Sequence, residues 1–167
     1  MPKTFMNPSA NPNYQFLVVD GDIHLNTTFA LMLEFPGHEV RTAHTGETAL
    51  AMLEQDQFHL IIMEYWLPRM HGDDLAAIIK QQWPDLPIIM ATANIEEVRK
   101  YVHPLAGVDC FLNKPFSMSQ LREAVLWVLD YYTKVRKVVP GARKAHESHP
   151  VVTDFLRKPL RLGGHSL

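Results

Sequence analysis

Three carboxylates, one hydroxyl and one ammonium stand where short apolar runs of the chain stop. Asp20 and Asp22 follow Phe16-Leu17-Val18-Val19, and Glu64 follows Leu60-Ile61-Ile62-Met63. Thr92 closes the run that starts at Pro87, and Lys114 lies just beyond Cys110-Phe111-Leu112. A single acid at a strand end is as often a cap or a loop residue as a working group. Five polar groups at the ends of four runs in one register are a stronger signal. An acidic crevice of this make-up could serve a hydrolase or transferase, or a protein that signals by contact. No nucleophile–base pair accompanies it. The chain also has none of the G-x-x-x-x-G-K-[ST], G-x-S-x-G, H-E-x-x-H or G-x-G-x-x-G patterns, so the enzyme classes they mark gain no support.

The segments between these residues must position them. Phe16–Val19 reads as a buried strand, Asn26–Phe35 as a helix closed by Pro36-Gly37, and His38–Ala43 as a second strand. Thr45 can cap a helix over Glu47–Gln55. Leu60–Met63 is the most apolar run, and Asp73 is expected to cap a helix over Asp74–Gln82. Pro87–Thr92 is a fourth strand, followed by a helix from Glu96 to about His103. Cys110–Leu112 is a short fifth strand, and Ser117 caps a last helix running to about Val138. Strands apolar throughout, alternating with helices, predict a doubly wound, five-stranded parallel sheet of (βα)5 type. In such sheets the working crevice lies at the carboxyl ends of the strands.

Composition agrees. The 167 residues are 47% hydrophobic and 20% charged, room for one domain and a short appendage. We read residues 1–13 as a flexible leader, 14–137 as the domain, and 138–167 as an extended or partly disordered extension. One cysteine, Cys110, forbids an internal disulfide. No run approaches a membrane span and no signal-peptide core is present, so the expectation is a cytoplasmic protein. The net charge of −2 is uneven: residues 140–167 carry five basic and two acidic residues, and the remainder, with eleven and sixteen, stands at −5. Nucleic acid is not an expected partner, since the basic segment is too short for a helix-turn-helix domain.

Across residues 14–136 the chain resembles the CheY-like receiver domain of two-component response regulators, a flavodoxin-like fold. The resemblance rests on Phe16–Asp20, Leu60–Glu64 with Leu67-Pro68-Arg69-Met70-His71-Gly72, Pro87–Ala93, and Gly107–Phe116. It implies phosphorelay signalling, with a histidine kinase or a downstream regulator as partner, and a cis Lys114–Pro115 bond. In receivers an aspartate ending the third strand accepts a phosphoryl group. An acidic pair after the first strand helps to hold Mg²⁺, a threonine and a lysine contact the phosphoryl oxygens, and an aromatic on the fifth strand reports the change. Carried across, these are Glu64, Asp20 with Gly21, Thr92, Lys114 and Phe111.

Two of these positions depart from the pattern. Glu64 sets its carboxylate one methylene further out than an aspartate, and near-attack geometry is lost at displacements of about 1 Å. It carries only part of the charge of a phosphorylated side chain. Either it biases the domain toward an active-like state or it fills a dead pocket, and a salt bridge to Lys114 serves both. Gly21 replaces a metal ligand, so no Mg²⁺ is expected. If any ion binds, its ligands are Asp20, Asp22 and Glu64, with Asp22 pointing elsewhere unless the loop bends.

The expected function is therefore that of an atypical receiver, a pseudo-receiver acting through phosphorylation-independent protein contacts, and not an enzyme. The alternative is a phosphotransfer-competent receiver using Asp20, Asp22 or Glu64 as acceptor. Trp66 and Asn94 flank the entrance to the site. Trp66 either obstructs an incoming histidine or anchors a partner. Leu126 and Trp127 lie off the apolar stripe of the last helix. They mark either a partner surface, such as a homodimer through the fourth helix, fifth strand and fifth helix, or the seat of the C-terminal tail. His146-Glu147-Ser148-His149 reads as solvated tail rather than a metal site.

Overall fold

A computed structural model describes residues 13–34, 37–101 and 107–138. Ten elements alternate along the chain: β1 (Gln15–Val19), α1 (Ile23–Leu33), β2 (Glu39–Ala43), α2 (Gly46–Gln55), β3 (Leu60–Met63), α3 (Gly72–Gln82), β4 (Ile88–Thr92), α4 (Ile95–Tyr101), β5 (Cys110–Asn113) and α5 (Met118–Val138). The strands form one parallel sheet in the order β2-β1-β3-β4-β5. The leader, the His146–His149 spacing and nearly all of the C-terminal extension lie outside the described residues. Among those residues, no helix is long and apolar enough to cross a membrane.

Successive side chains of a strand point to opposite faces, and both faces of this sheet are covered. Phe16, Val18, Leu60, Ile62, Ile89, Ala91, Cys110 and Leu112 pack with Phe29 and Leu33 of α1 and with Leu121, Ala124, Val125 and Val128 of α5. Leu17, Val19, Ile61, Met63, Ile88 and Met90 pack on the other face against α2, α3 and Val98 of α4. The absence of polar alternation in β3 and β4 thus reflects burial on two sides.

Three local expectations need correcting. The first helix starts at Ile23, not Asn26, because Asp22 caps it: the Asp22 carboxylate accepts from the amides of His24 and Leu25. Asn26 instead faces inward, donating through its amide nitrogen to the carbonyls of Asp20 and Ala43. The third helix starts at Gly72, with His71 in the cap position and no side-chain cap bond. Asp73, expected as the cap, lies in the first turn with Asp74, where negative charge suits the helix dipole. Trp127 is half-buried against the α1/α5 core and stacks on Tyr131, so of the two candidate surface residues only Leu126, 51% exposed, stands clear. The caps Thr45 and Ser117 are in place, each side-chain oxygen accepting an amide three residues on.

Glycine at 72 is a packing requirement. A Cβ there would fall 2.6 Å from the Glu64 carbonyl oxygen and 3.0 Å from the Tyr65 Cα, so α3 begins hard against the end of β3. The Gly72 amide donates to the Tyr65 carbonyl at 2.7 Å and fixes the intervening loop.

Candidate functional site

The carboxyl edge of the sheet brings together Asp20, Glu64, Thr92 and Lys114, which border a cleft of about 560 Å³. Parallel register does most of this. The Asp20 amide donates to Ala43, the Glu64 amide to Val19, and the Lys114 amide to Thr92, so each residue is held where a ladder ends. The Lys114–Pro115 bond is cis.

Lys114 is the centre. Its ammonium donates to Asp20 Oδ2 at 2.6 Å and to Glu64 Oε2 at 2.7 Å, and it lies 5.2 Å from the centre of the Phe29 ring. All three charged side chains are nearly buried: 13% of Lys114, 6% of Asp20 and 12% of Glu64 remain exposed. The second oxygens are engaged too. Asp20 Oδ1 accepts from the Asp22 amide at 2.9 Å, and Glu64 Oε1 from the Tyr65 amide at 2.7 Å. The expected Glu64–Lys114 salt bridge is therefore present, with Asp20 as a second partner. Such an arrangement resists the loss of any one member, because a buried charge left without its partner is costly.

Thr92 differs from these. It is 1% exposed, and its Oγ1 has no hydrogen-bond partner among the described residues. Buried hydroxyls are normally paired, so one left open beside a cleft calls for a partner such as a water, an ion or a ligand.

Mg²⁺ fits this donor set poorly. No group of three His, Cys, Asp or Glu placed to hold a metal occurs among the described residues. Asp22 borders the cleft, but its carboxylate is spent on capping α1. Gly21 offers no ligand, and a Cβ there would meet the Pro68 ring at 3.2 and 3.3 Å. A hard cation here would have to compete with the Lys114 ammonium for both carboxylates.

At the mouth, Trp66 is 52% exposed and is propped edge-on against Tyr65 at 4.8 Å and His71 at 4.9 Å. Tyr65 stacks beneath on His71, and its phenol is pushed up from its ordinary pKa by burial and then by the charges of Asp73 and Asp74. Asn94 caps the start of α4, bonding the amide and carboxylate of Glu97. Phe111 is half-buried on β5 against the α3/α4 core, away from the cleft.

Over residues 16–126 the sequence matches the response regulator receiver domain. The chain belongs to the response regulator receiver family. This receiver is 34% identical over 117 residues to the alkaline phosphatase synthesis transcriptional regulatory protein PhoP of Bacillus subtilis, covering 70% of this chain and 49% of PhoP. It is 31% identical over 107 residues to the response regulator MprA of Mycobacterium avium, covering 64% of this chain and 47% of MprA. It thus spans about half the length of these curated relatives. Among solved structures, a CheY-like receiver domain protein of Methanospirillum hungatei matches with a TM-score of 0.68 and 30% identity, over 72% of this chain and 97% of that one. The response regulator TrrA of Thermotoga maritima, solved in complex with Mg²⁺ and BeF, matches with a TM-score of 0.62 and 26% identity, over 69% of this chain and 98% of that one. The receiver fold of two-component signalling is therefore the fold of this chain.

One polar centre escaped the sequence reading. At the opposite, amino edge, Lys80 of α3 donates to Asp109 Oδ2 at 2.8 Å, to the Leu86 carbonyl at 2.7 Å and to the Tyr132 hydroxyl at 2.8 Å. Tyr132 in turn donates to Asp109 Oδ1 at 2.6 Å, and Asp109 Oδ2 also takes the Ile88 amide at 2.8 Å. The three side chains Lys80, Asp109 and Tyr132 stand 23 to 52 positions apart and leave no local pattern to read.

Proposed function

We propose that this receiver signals through protein contacts without aspartyl phosphorylation, and that its cleft stands in an unengaged state. The observation that carries this is the disposition of Glu64 and Thr92. Glu64 is turned onto Lys114 and the loop amides, while the Thr92 hydroxyl remains without a partner among the described residues. A side chain imitating a phosphoryl group would have to recruit that hydroxyl as well as the lysine. Glu64 recruits only the lysine. Of the two roles open to Glu64, filling a silent pocket is the one that this geometry supports.

On this reading Glu64 occupies the phosphoacceptor position, Asp20 the acidic pocket, Thr92, Lys114 and Phe111 the switch positions, and Trp66 and Asn94 the rim. No Mg²⁺ is required and the protein is not an enzyme. Its partners are a histidine kinase or a downstream regulator in the cytoplasm. The surface of α4, β5 and α5, with Leu126 on it, is available for a homodimer or for a downstream regulator.

The test is exposure to acetyl phosphate with Mg²⁺, followed by mass spectrometry of the chain. The expected result is no acyl phosphate on the native protein. Glu64→Asp and Gly21→Asp singly should stay unmodified, and only the double change should gain a Mg²⁺-dependent adduct. An adduct on Asp20, Asp22 or Glu64 of the native chain would establish the phosphotransfer-competent alternative instead.

A further inference from the structure

A second cleft, of about 820 Å³, opens at the amino edge between the α2–β3 loop, the α3–β4 loop and the end of α5. Its walls are rings. Tyr14, Phe58, Trp83 and Tyr132 are each half-buried, and Pro84 and Pro87 stand among them. Three of the aromatic rings are already held from behind. The Arg41 guanidinium lies 5.9 Å from the centre of the Phe58 ring, the Lys80 ammonium 5.2 Å from that of Tyr132, and Tyr14 stacks on Phe16 at 5.9 Å. Rings fixed in advance lose little freedom when something docks on them. The lining also has polar groups to offer. The Trp83 indole N–H and the side-chain amides of Gln57 and Gln82 have no hydrogen-bond partner among the described residues. Three acids, Glu54, Asp56 and Asp85, line the cleft with no lysine or arginine beside them, and Arg41 reaches Asp56 from outside it.

These features select among the ways in which a peptide can be held. An added strand needs a free sheet edge. Here the cleft meets the starts of the inner strands, whose backbone is already spent: the His59 amide donates to the Gln15 carbonyl at 2.8 Å, and the Ile61 amide to the Pro87 carbonyl at 3.0 Å. An amphipathic helix needs an open apolar groove for its anchors. The leucines of this lining, Leu53, Leu86 and Leu129, are buried in the core instead. A polyproline II segment needs flat, fixed rings for its prolines and donors for its carbonyls, which no internal hydrogen bond uses. Both are present. The acids add a preference for a cation beside the prolines and act against nucleic acid.

We infer that the amino-edge cleft is a docking site for a proline-rich, basic segment of a partner protein, with Trp83 donating to the peptide backbone and Glu54 and Asp85 drawing its cation. The site lies at the other end of the sheet from Glu64 and Thr92. It therefore stands whether or not the carboxyl edge takes a phosphoryl group, and it is separate from the surface of α4, β5 and α5.

The experiment titrates the full chain with a synthetic acetylated peptide of sequence RPLPPLP and follows the amide and indole resonances. Saturable shifts are expected at the Trp83 indole N–H and at the amides of Gln57, His59 and Thr133. The peptide RALAALA, which keeps the cation and loses the prolines, should bind about tenfold more weakly. EPLPPLP, which reverses the charge, should bind about fivefold more weakly, and raised salt should narrow that gap. Trp83→Phe keeps a ring and removes the donor, and should weaken binding of RPLPPLP about tenfold. Glu54→Gln/Asp85→Asn, two changes at exposed positions, should weaken it about fivefold while the rest of the spectrum stays native. The absence of a saturable shift in the native chain would overturn the inference. Equal binding of RALAALA would overturn it too, as would shifts centred on Trp66 and Thr92. Shifts in the cleft that grow with protein concentration before any peptide is added would assign the site to a second copy and overturn docking of a partner's segment.

Discussion

Two buried lysines sit at opposite ends of the same sheet, and they differ in what surrounds them. Lys80 meets a carbonyl, a carboxylate and a phenol, and both oxygens of Asp109 are taken. The bonds join α3 on one face to α5 on the other around the edge of β4 and β5, so that centre acts as a clasp between the two helical layers. Lys114 meets two carboxylates on the floor of a cleft, next to a hydroxyl with no partner among the described residues. Burial is alike in the two places, while the carboxyl edge holds one more carboxylate. What separates the two centres is whether the network is complete among the described residues.

That contrast can be broken by experiment. The largest effect should come from Asp109→Ala, which strips acceptors from Lys80, Tyr132 and Ile88 at once and is expected to cost about 3–5 kcal/mol. Lys114→Met should cost less, about 2 kcal/mol, because the cleft lets water reach the two stranded carboxylates. Urea denaturation of both variants checks the order, and a reversal would mean that the carboxyl edge, not the amino edge, holds the fold together.

Alkaline stability should report on the clasp, together with the Tyr65 phenol, which is raised as well. Burial first, then the charge of Asp109 and the hydrogen bond to it, push the Tyr132 phenol up from its ordinary pKa of about 10. A group raised on folding stabilises fully below its unfolded pKa and loses that contribution as pH climbs toward the folded one. Unfolding free energy should therefore fall above about pH 10, and Tyr132→Phe should remove about one proton from the slope of that decline. Tyr131→Phe, whose ring stacks on Trp127, is the control that should leave the slope nearly as it is.

The smallest effect belongs to Thr92→Val. Removing an unpaired buried hydroxyl while keeping its shape should be neutral or stabilising by up to about 1 kcal/mol. A drop of more than about 1 kcal/mol in thermal or urea unfolding would show that the hydroxyl is paired after all, and would remove the distinction between the two centres.

The sequence made the sheet legible because strands buried on two faces are apolar throughout, and Leu60–Met63 and Ile88–Thr92 carry that mark without interruption. Residues at strand ends were legible for the same reason, since register alone brings Asp20, Glu64, Thr92 and Lys114 to one edge. Errors fell where a short polar residue had two local uses. Asp22 serves as a helix cap, so a helix read as beginning at Asn26 begins at Ile23. Asp73 looked like a cap, but the steric demand at Gly72 had already set the start of α3. Trp127 sits off the main stripe of its helix, yet an indole is wide enough to reach the core from the flank. The Lys80–Asp109–Tyr132 clasp had no signal at all, because nothing in a helix pattern separates a lysine that snorkels from one that is captured.

Gly72 has one more consequence. With no gap between the first turn of α3 and the backbone of Glu64, that helix has no freedom to slide toward the cleft. Since the same eleven residues carry Lys80, α3 is a strut wedged between the crevice and the clasp, and a push on the loop bearing Trp66 is borne along its full length.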